Sequence, residues 1–406
     1  ESHQSAYYQL VHSPIELSAN LNEMYVAAGK NQYYVVRGAS AANYYADKVK
    51  ELFQKDAELT RYYHKELEKG KWNHMMSQNH IGYTYWQQPP LNRMPAVSYV
   101  QVQDSAELGY LLEYGERPRW GWLDVEADWS FNHELPSFDR INKQNYYIDI
   151  INRGKEKLDY TIKAKEDWIK LSSENGTTKF HEKVYVSIDW NKAPEGKATG
   201  EILIAGTGEE YKVKVPIQND LPAPSGFVEN NGVVSMEAEH FTRKIDTNHI
   251  HWTTVPNLGR THSSLIIEPV TADPQTPGEN APKIEYDFTV FDGGELSVEA
   301  FFSPTLDFKK QGGLKYAIAI DDEEPQIINM NEGEIKPDWE YPEWWTQSVG
   351  DHIKTKISNH KVESAGKHTL KIWMIDPGIV FQKFVIDAGG KKESYLGAPE
   401  SKYIKP

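Results

Sequence analysis

Val184-Tyr185-Val186-Ser187-Ile188 and Tyr211-Lys212-Val213-Lys214-Val215 alternate apolar and polar residues at a period of two. That is the pattern of strands with one buried face and one wet face. Tyr146 to Ile151 and Glu201 to Ile204 read the same way, with Gly and Asn turns between them. Ala193-Pro194-Glu195-Gly196 is a strand-connecting turn, and Trp168 with Ile169 is expected to pin the core. The number and spacing of these strands predict an immunoglobulin-like β-sandwich, assigned to residues 116–221.

Downstream, Leu221-Pro222-Ala223-Pro224-Ser225-Gly226 reads as a linker. Strands then resume at Val233 to Ala238, Lys283 to Val290, Glu295 to Phe302, Leu314 to Ile320, His368 to Met374 and Phe381 to Ile386. The loops between them are rich in Asp, Gly, Pro and Trp, which predicts a jelly-roll β-sandwich over residues 226–406.

Upstream, the period changes to that of a helix. Ser13-Pro14-Ile15-Glu16 has the form of a capping box with proline at the first helical position. Leu17, Leu21, Met24 and Ala28 follow at helical spacing, and Gly29 supplies a stop. A second helix is expected from Ala41 to Leu67, with Tyr45, Val49, Leu52, Leu59 and Tyr63 on one face and Gly70 at its end. Residues 1–115 are therefore assigned to a helical domain. Two helices bury little alone, so their Tyr and Leu stripes call for further helices or a neighbouring domain. The fold class is multidomain α+β: an incomplete helical bundle followed by two sandwiches.

Composition narrows the function. A net charge of −15 argues against a nucleic-acid partner, whose phosphates need clustered Lys and Arg. No apolar run reaches the roughly 20 residues of a transmembrane helix, so no membrane partner is expected. Cysteine is absent, which excludes disulfides, thiolate catalysis and Cys-ligated zinc. The start, Glu1-Ser2-His3-Gln4, has neither a basic nor an apolar leader region, so any signal peptide lies outside this sequence. The 12 Trp and 24 Tyr stand out, because such rings fill cores but also stack on sugars.

Two segments carry more than periodicity. Gly70-Lys71-Trp72-Asn73-His74-Met75-Met76-Ser77-Gln78-Asn79-His80-Ile81-Gly82-Tyr83-Thr84-Tyr85-Trp86-Gln87-Gln88-Pro89-Pro90 resembles the helical-domain signature of glycoside hydrolase family 115, the xylan α-glucuronidases. Gly366-Lys367-His368-Thr369-Leu370-Lys371-Ile372-Trp373-Met374-Ile375-Asp376-Pro377-Gly378 resembles the C-terminal domain of that family. Phe381-Gln382-Lys383-Phe384-Val385-Ile386-Asp387 and Ser394-Tyr395-Leu396-Gly397 continue the match, and Ser303 to Leu306 and Tyr316 to Glu323 fit between the two ends. The resemblance implies an N-terminal domain and a (β/α)8 barrel, bearing the catalytic carboxylates, ahead of this region. No stretch here reads as repeated βα units. The chain alone is therefore expected to be inactive, with no catalytic residue among its many Asp and Glu. The resemblance also implies a periplasmic or secreted location, glucuronoxylan or acidic xylo-oligosaccharides as partners, contact with the barrel, and a homodimer.

Three sets of residues are singled out. His80, Tyr83 and Trp86 stand in an aromatic, amide-rich loop closed by Pro89-Pro90. The loop pins the helices against a neighbour, or it reaches a sugar by hydrogen bonds and stacking. His74 and His80 are six apart, unlike the four of a helical zinc motif. Val234-Ser235-Met236-Glu237-Ala238-Glu239-His240-Phe241 resembles the first strand of family 6 and 35 carbohydrate-binding modules, and Phe384 to Asp387 resembles their last strand. That resemblance implies a structural Ca²⁺ on Glu237, Glu239 and Asp387, whose hard oxygens suit the ion; otherwise these carboxylates face solvent. No other cofactor is expected. Finally, Trp339-Glu340-Tyr341-Pro342-Glu343-Trp344-Trp345 and the His249, His251, Trp252 stretch read as loops whose exposed aromatics form an interface in preference to a sugar platform. The leading reading is the accessory portion of a xylan α-1,2-glucuronidase. The alternative is a stand-alone carbohydrate-binding or dimerisation protein.

Overall fold

The computed structural model describes residues 2–83, 87–113, 133–221, 223–334 and 342–405. They form two compact units: residues 1–138 with 143–217, and residues 139–142 with 218–406.

The first unit opens with α1 (Ser2–Tyr7), a π-type turn (Tyr8–His12) and α2 (Ser13–Val35), then α3 (Ala41–Lys65). Ser13 has helical φ and ψ of −61° and −46° and lies within a continuous helical run. The expected capping box is therefore not a cap. Pro14 offers no N–H to the preceding turn and its ring crowds the Leu10 carbonyl. The wider turn over Tyr8–His12 absorbs that mismatch and lets the helix run on. Gly29 does not stop α2, which ends at Val35 before Gly38 in the left-handed region (φ +63°). α3 ends where expected, with Glu68, Lys69 and Gly70 all at positive φ.

Met24, Ala27 and Ala28 of α2 pack against Val49 and Leu52 of α3 and against Ile81. Ser98 and Val100, in the stretch outside any helix or strand that follows, are held by side-chain amides that imitate a strand partner. Asn31 Nδ2 donates to the Ser98 carbonyl (2.8 Å) and its Oδ1 accepts the Ser98 N–H (3.0 Å). Asn43 does the same to Val100, at 3.0 and 2.8 Å.

The sandwich of this unit comprises β1 (Leu108–Leu112), β2 (Phe138–Asp139), β3 (Tyr146–Asn152), β4 (Leu158–Ala164), β5 (Ile169–Leu171), β6 (Asn175–Thr178), β7 (His181–Ile188), β8 (Lys197–Gly206) and β9 (Glu209–Gln218). One sheet has the order β1-β3-β7-β5 and the other β2-β9-β8-β4-β6. Their inner faces close over Ile148, Ile162, Val184, Val186, Val213 and Val215, with Trp168 and Ile169 in the same core. The alternation that marks the sequence is thus the alternation of core and solvent. The neighbour that the helices require is this sandwich. Tyr34, Ala39, Ala41 and Ala42 share an apolar cluster with Leu111 and Ile151.

A buried charge fastens that junction. Asp149, 2% exposed, accepts a hydrogen bond from the Tyr34 hydroxyl (2.9 Å) on one oxygen and from His181 Nδ1 (3.0 Å) on the other. Ser40 Oγ donates to the Asn152 carbonyl at 2.9 Å nearby. Removing one donor from a buried carboxylate leaves it under-solvated. Tyr34→Phe is expected to lower the unfolding free energy of this unit by about 1–3 kcal/mol in urea denaturation followed by tryptophan fluorescence. A loss below about 0.5 kcal/mol would show the bond to be dispensable.

The second unit contains β10 (Gly226–Val228), β11 (Val233–Glu237), β12 (Arg243–Ile245), β13 (His251–Val255), β14 (Ser264–Glu268), β15 (Lys283–Val290), β16 (Gly294–Phe302), β17 (Lys315–Ile320), β18 (Gln326–Asn329), α4 (Glu343–Asp351), β19 (Lys354–Val362), β20 (Gly366–Met374), β21 (Phe381–Asp387) and β22 (Tyr403–Ile404). One sheet runs β18-β17-β20-β15-β10-β22, with β12 on β15; the other runs β13-β14-β21-β16-β19, with β11 on β21. Tyr286, Phe288, Phe302, Tyr316, Phe381 and Phe384 fill the space between them. All six strands read from the sequence are present.

Two aromatic readings need correction. Trp252 is not on an exposed loop: it lies on β13, 3% exposed, within the core and 5.9 Å from the Phe381 ring. Trp344 and Trp345 are not on a loop either, but on α4, where both are half-buried. Trp339 to Tyr341 lie outside the described residues.

Candidate functional site

The loop after α3 is built on a buried carboxylate. Asp56, on the inner face of α3 and 2% exposed, receives His80 Nε2 at 2.9 and 3.0 Å from its two oxygens. His80 Nδ1 faces the Gln78 carbonyl at 3.2 Å. Both ring nitrogens therefore meet acceptors, an arrangement that favours the doubly protonated imidazolium. The hydrogen bond to Asp56 raises the His80 pKa; burial opposes it, and the Gln78 carbonyl adds to the rise. Asn92 Oδ1 accepts the N–H groups of His80 (2.8 Å) and Ile81 (3.1 Å), and the Asn79 amide donates to the Pro89 carbonyl (3.1 Å). Gly82 takes φ +98°, and a Cβ there would lie 2.8 Å from Arg93 Cβ, so glycine is required.

Tyr83 is more than a third exposed, and its hydroxyl accepts from Gln78 Nε2 at 2.7 Å. Trp86 and Tyr85 lie outside the described residues. Trp72 stacks on Tyr63 and donates through Nε1 to Gln9 (2.7 Å). His64 accepts the Met76 N–H on Nε2 at 3.2 Å, and burial lowers its pKa, assisted by His74 and Lys65. One charge-favouring histidine in the loop, His80, thus stands near one neutral-favouring histidine at the end of α3, His64. With both nitrogens engaged, His80 is a fastening; Tyr83, Met75, Met76 and the exposed Gln78, Gln87 and Gln88 are among what the loop presents.

Linkage gives these histidines opposite signs. His80, raised in the fold, stabilises fully below its unfolded pKa near 6.5 and loses that contribution as pH rises through its folded value. His64, lowered in the fold, contributes stability above the unfolded value and loses it as pH falls. The readout is therefore a difference. The melting-temperature gap between the chain and its His80→Gln variant should narrow steadily from about pH 6 to pH 8. A gap that stays constant or widens would show that the imidazolium form is not what the fold selects.

The three carboxylates expected to share a cation do not converge. On the antiparallel pair β11–β21, Glu237 stands opposite Lys383, whereas Asp387 stands opposite Val233 at the other end. Four strand residues at about 3.3 Å each separate them by about 13 Å, and the two carboxylates serve different donors. Asp387 instead caps a turn, accepting the N–H groups of Gly389 (2.8 Å) and Lys391 (3.0 Å). Glu239 accepts the Ser263 N–H at 3.0 Å. Glu237, 2% exposed, accepts from Thr261 Oγ1 at 2.7 Å and pairs with the Lys383 ammonium at 3.0 Å. Among the described residues no group of three or more His, Asp or Glu is arranged to hold a metal ion. The residue missed here is Lys383. A lysine inside Phe381-Gln382-Lys383-Phe384-Val385-Ile386, a strand apolar on both faces, signals an internal partner.

Two further buried carboxylates, Asp287 and Glu229, are committed to internal donors. Burial would raise Asp287, but Arg243, Lys367 and Thr369 bring it down to about 2. Burial raises Glu229 against the pull of two N–H groups, from Phe291 (2.7 Å) and Gly232 (3.2 Å). Both are structural acceptors.

β11, β21 and the segment that follows them lie inside the region with a recognised family. Residues 226–400 match the glycosyl hydrolase family 115 C-terminal domain. Among solved structures, the chain is similar to a family 115 4-O-methyl-α-glucuronidase with specificity for decorated arabinogalactans, at 12% identity and a TM-score of 0.43. That similarity covers 94% of this chain and 29% of that enzyme, so the chain spans under a third of its length. It is also similar to the C-terminal family 6 carbohydrate-binding module of a marine laminarinase from Zobellia galactanivorans (13% identity, TM-score 0.23, 38% of this chain and 98% of the module). A family 35 carbohydrate-binding module from Clostridium thermocellum gives 14% identity and a TM-score of 0.24, over 38% of this chain and 98% of the module. No curated protein matches the chain.

Proposed function

We propose that the chain is the accessory C-terminal portion of a xylan α-1,2-glucuronidase, which removes glucuronic or 4-O-methylglucuronic acid from xylan outside the cytoplasm. The observation that carries this reading is the match of residues 226–400 to the family 115 C-terminal domain. The bond-breaking carboxylates belong to a barrel domain. This chain frames the substrate site and supplies domain and subunit interfaces, as a homodimer. In the first unit, Tyr83 and Trp86 meet the sugar, and His80 holds their loop to Asp56. The commitment of Asp287 and Glu229 to internal donors supports an accessory role, since a glycosidase acid or base must face the sugar.

The similar enzyme acts on decorated arabinogalactans, so acidic arabinogalactan is the second substrate to test beside glucuronoxylan. Incubated with either polymer or with aldouronic oligosaccharides, the chain is expected to release no uronic acid. Turnover abolished by a point substitution within these residues would overturn the accessory reading.

A further inference from the structure

The oxygens around Lys383 Nζ are those a hard cation would choose. Glu237 Oε1 lies 3.0 Å away, and the carbonyls of Leu396 and Ala398 each accept from the ammonium at 3.2 Å. Three acceptors satisfy the three N–H donors of an ammonium. The Lys383 and Glu237 side chains are only 4% and 3% exposed. A buried charge persists only when paired and hydrogen-bonded, and this one is both.

The two carbonyls come from the segment that follows β21. Gly397 between them takes φ +75°, and its Cα side lies against the Lys383 stem and the Phe301 ring. From there the chain runs along β11. Ser235 Oγ donates to the Ala398 carbonyl (2.9 Å), and Ser235 N–H donates to Ser401 Oγ (3.0 Å). Glu400 accepts the Glu237 N–H at 3.1 Å and pairs with His240 Nδ1 at 2.7 Å. β22 then joins β10 in the opposite sheet.

We propose that Lys383 is a tethered substitute for a structural cation: its ammonium takes the place a metal ion would hold among Glu237, Leu396 and Ala398 and latches residues 394–400 onto β11 and β21. The second unit is then held together without metal.

Scanning calorimetry of the chain tests this, in a chelator and in millimolar Ca²⁺. The transition of the second unit should stay within about 1 °C between the two, because only a ligand that binds the folded state moves it. In Lys383→Ala the same transition should fall by about 10 °C, as Glu237 is left buried and unpaired. Added methylammonium or Ca²⁺ should then restore part of the loss with saturation. A calcium-dependent rise in the unsubstituted chain would overturn the proposal. So would a Lys383→Ala variant as stable as its parent, or one destabilised but indifferent to both cations. Should Lys383→Ala not fold, Lys383→Met, which keeps the stem, replaces it, and the metal titration of the unsubstituted chain still decides.

Discussion

The ion pair between Glu237 and Lys383 fixes the architecture of the second unit. A buried ammonium and a buried carboxylate tolerate no vacancy among their partners, so three elements must meet there: β11, β21 and the segment carrying Leu396 and Ala398. Two of these are edge and interior strands of one sheet, and the third leads into the other sheet through β22. Apolar burial alone is non-directional. Around the Phe and Tyr core it holds two sheets together, whereas the ammonium dictates which backbone carbonyls face it. The first unit uses the same device with another chemistry, where Asp149 gathers Tyr34 of α2 and His181 of β7.

These buried polar groups are also where sequence and structure part company. Strands with apolar inward faces, such as Tyr211 to Val215 or Lys283 to Val290, are legible from their period. β19 is not. Its inward residues include Lys354, Ser358 and His360, which look like a loop until their partners are known. His360 sits between Glu323 (2.6 Å) and Ser358 (2.8 Å), and Lys354 reaches the Thr305 carbonyl and Glu334. The capping box at Ser13 fails for a related reason, because a local motif cannot reveal the π-type turn that precedes it.

The candidate sites were legible in part. The importance of His80 could be read from its loop, but Asp56, 24 residues away on the inner face of α3, could not. Resemblance to a metal-binding strand singles out Glu237 and groups Asp387 with it, although strand register sets the two at opposite ends. Register is decided by long-range pairing, and no spacing within one segment contains it. Lys383 was visible throughout as a charge in an apolar strand, and its partner oxygens lie in the Ser394 to Gly397 motif and just beyond it. Residues from separate stretches of the sequence thus meet in one ion pair.

The most direct measurement is a crystal structure from calcium-soaked crystals, with anomalous data collected to locate the ion. The expected result is the Lys383 ammonium among Glu237, Leu396 and Ala398, with no anomalous peak within coordinating distance of Glu237. A calcium peak on Glu237, with the Lys383 side chain displaced from those carbonyls, would contradict it.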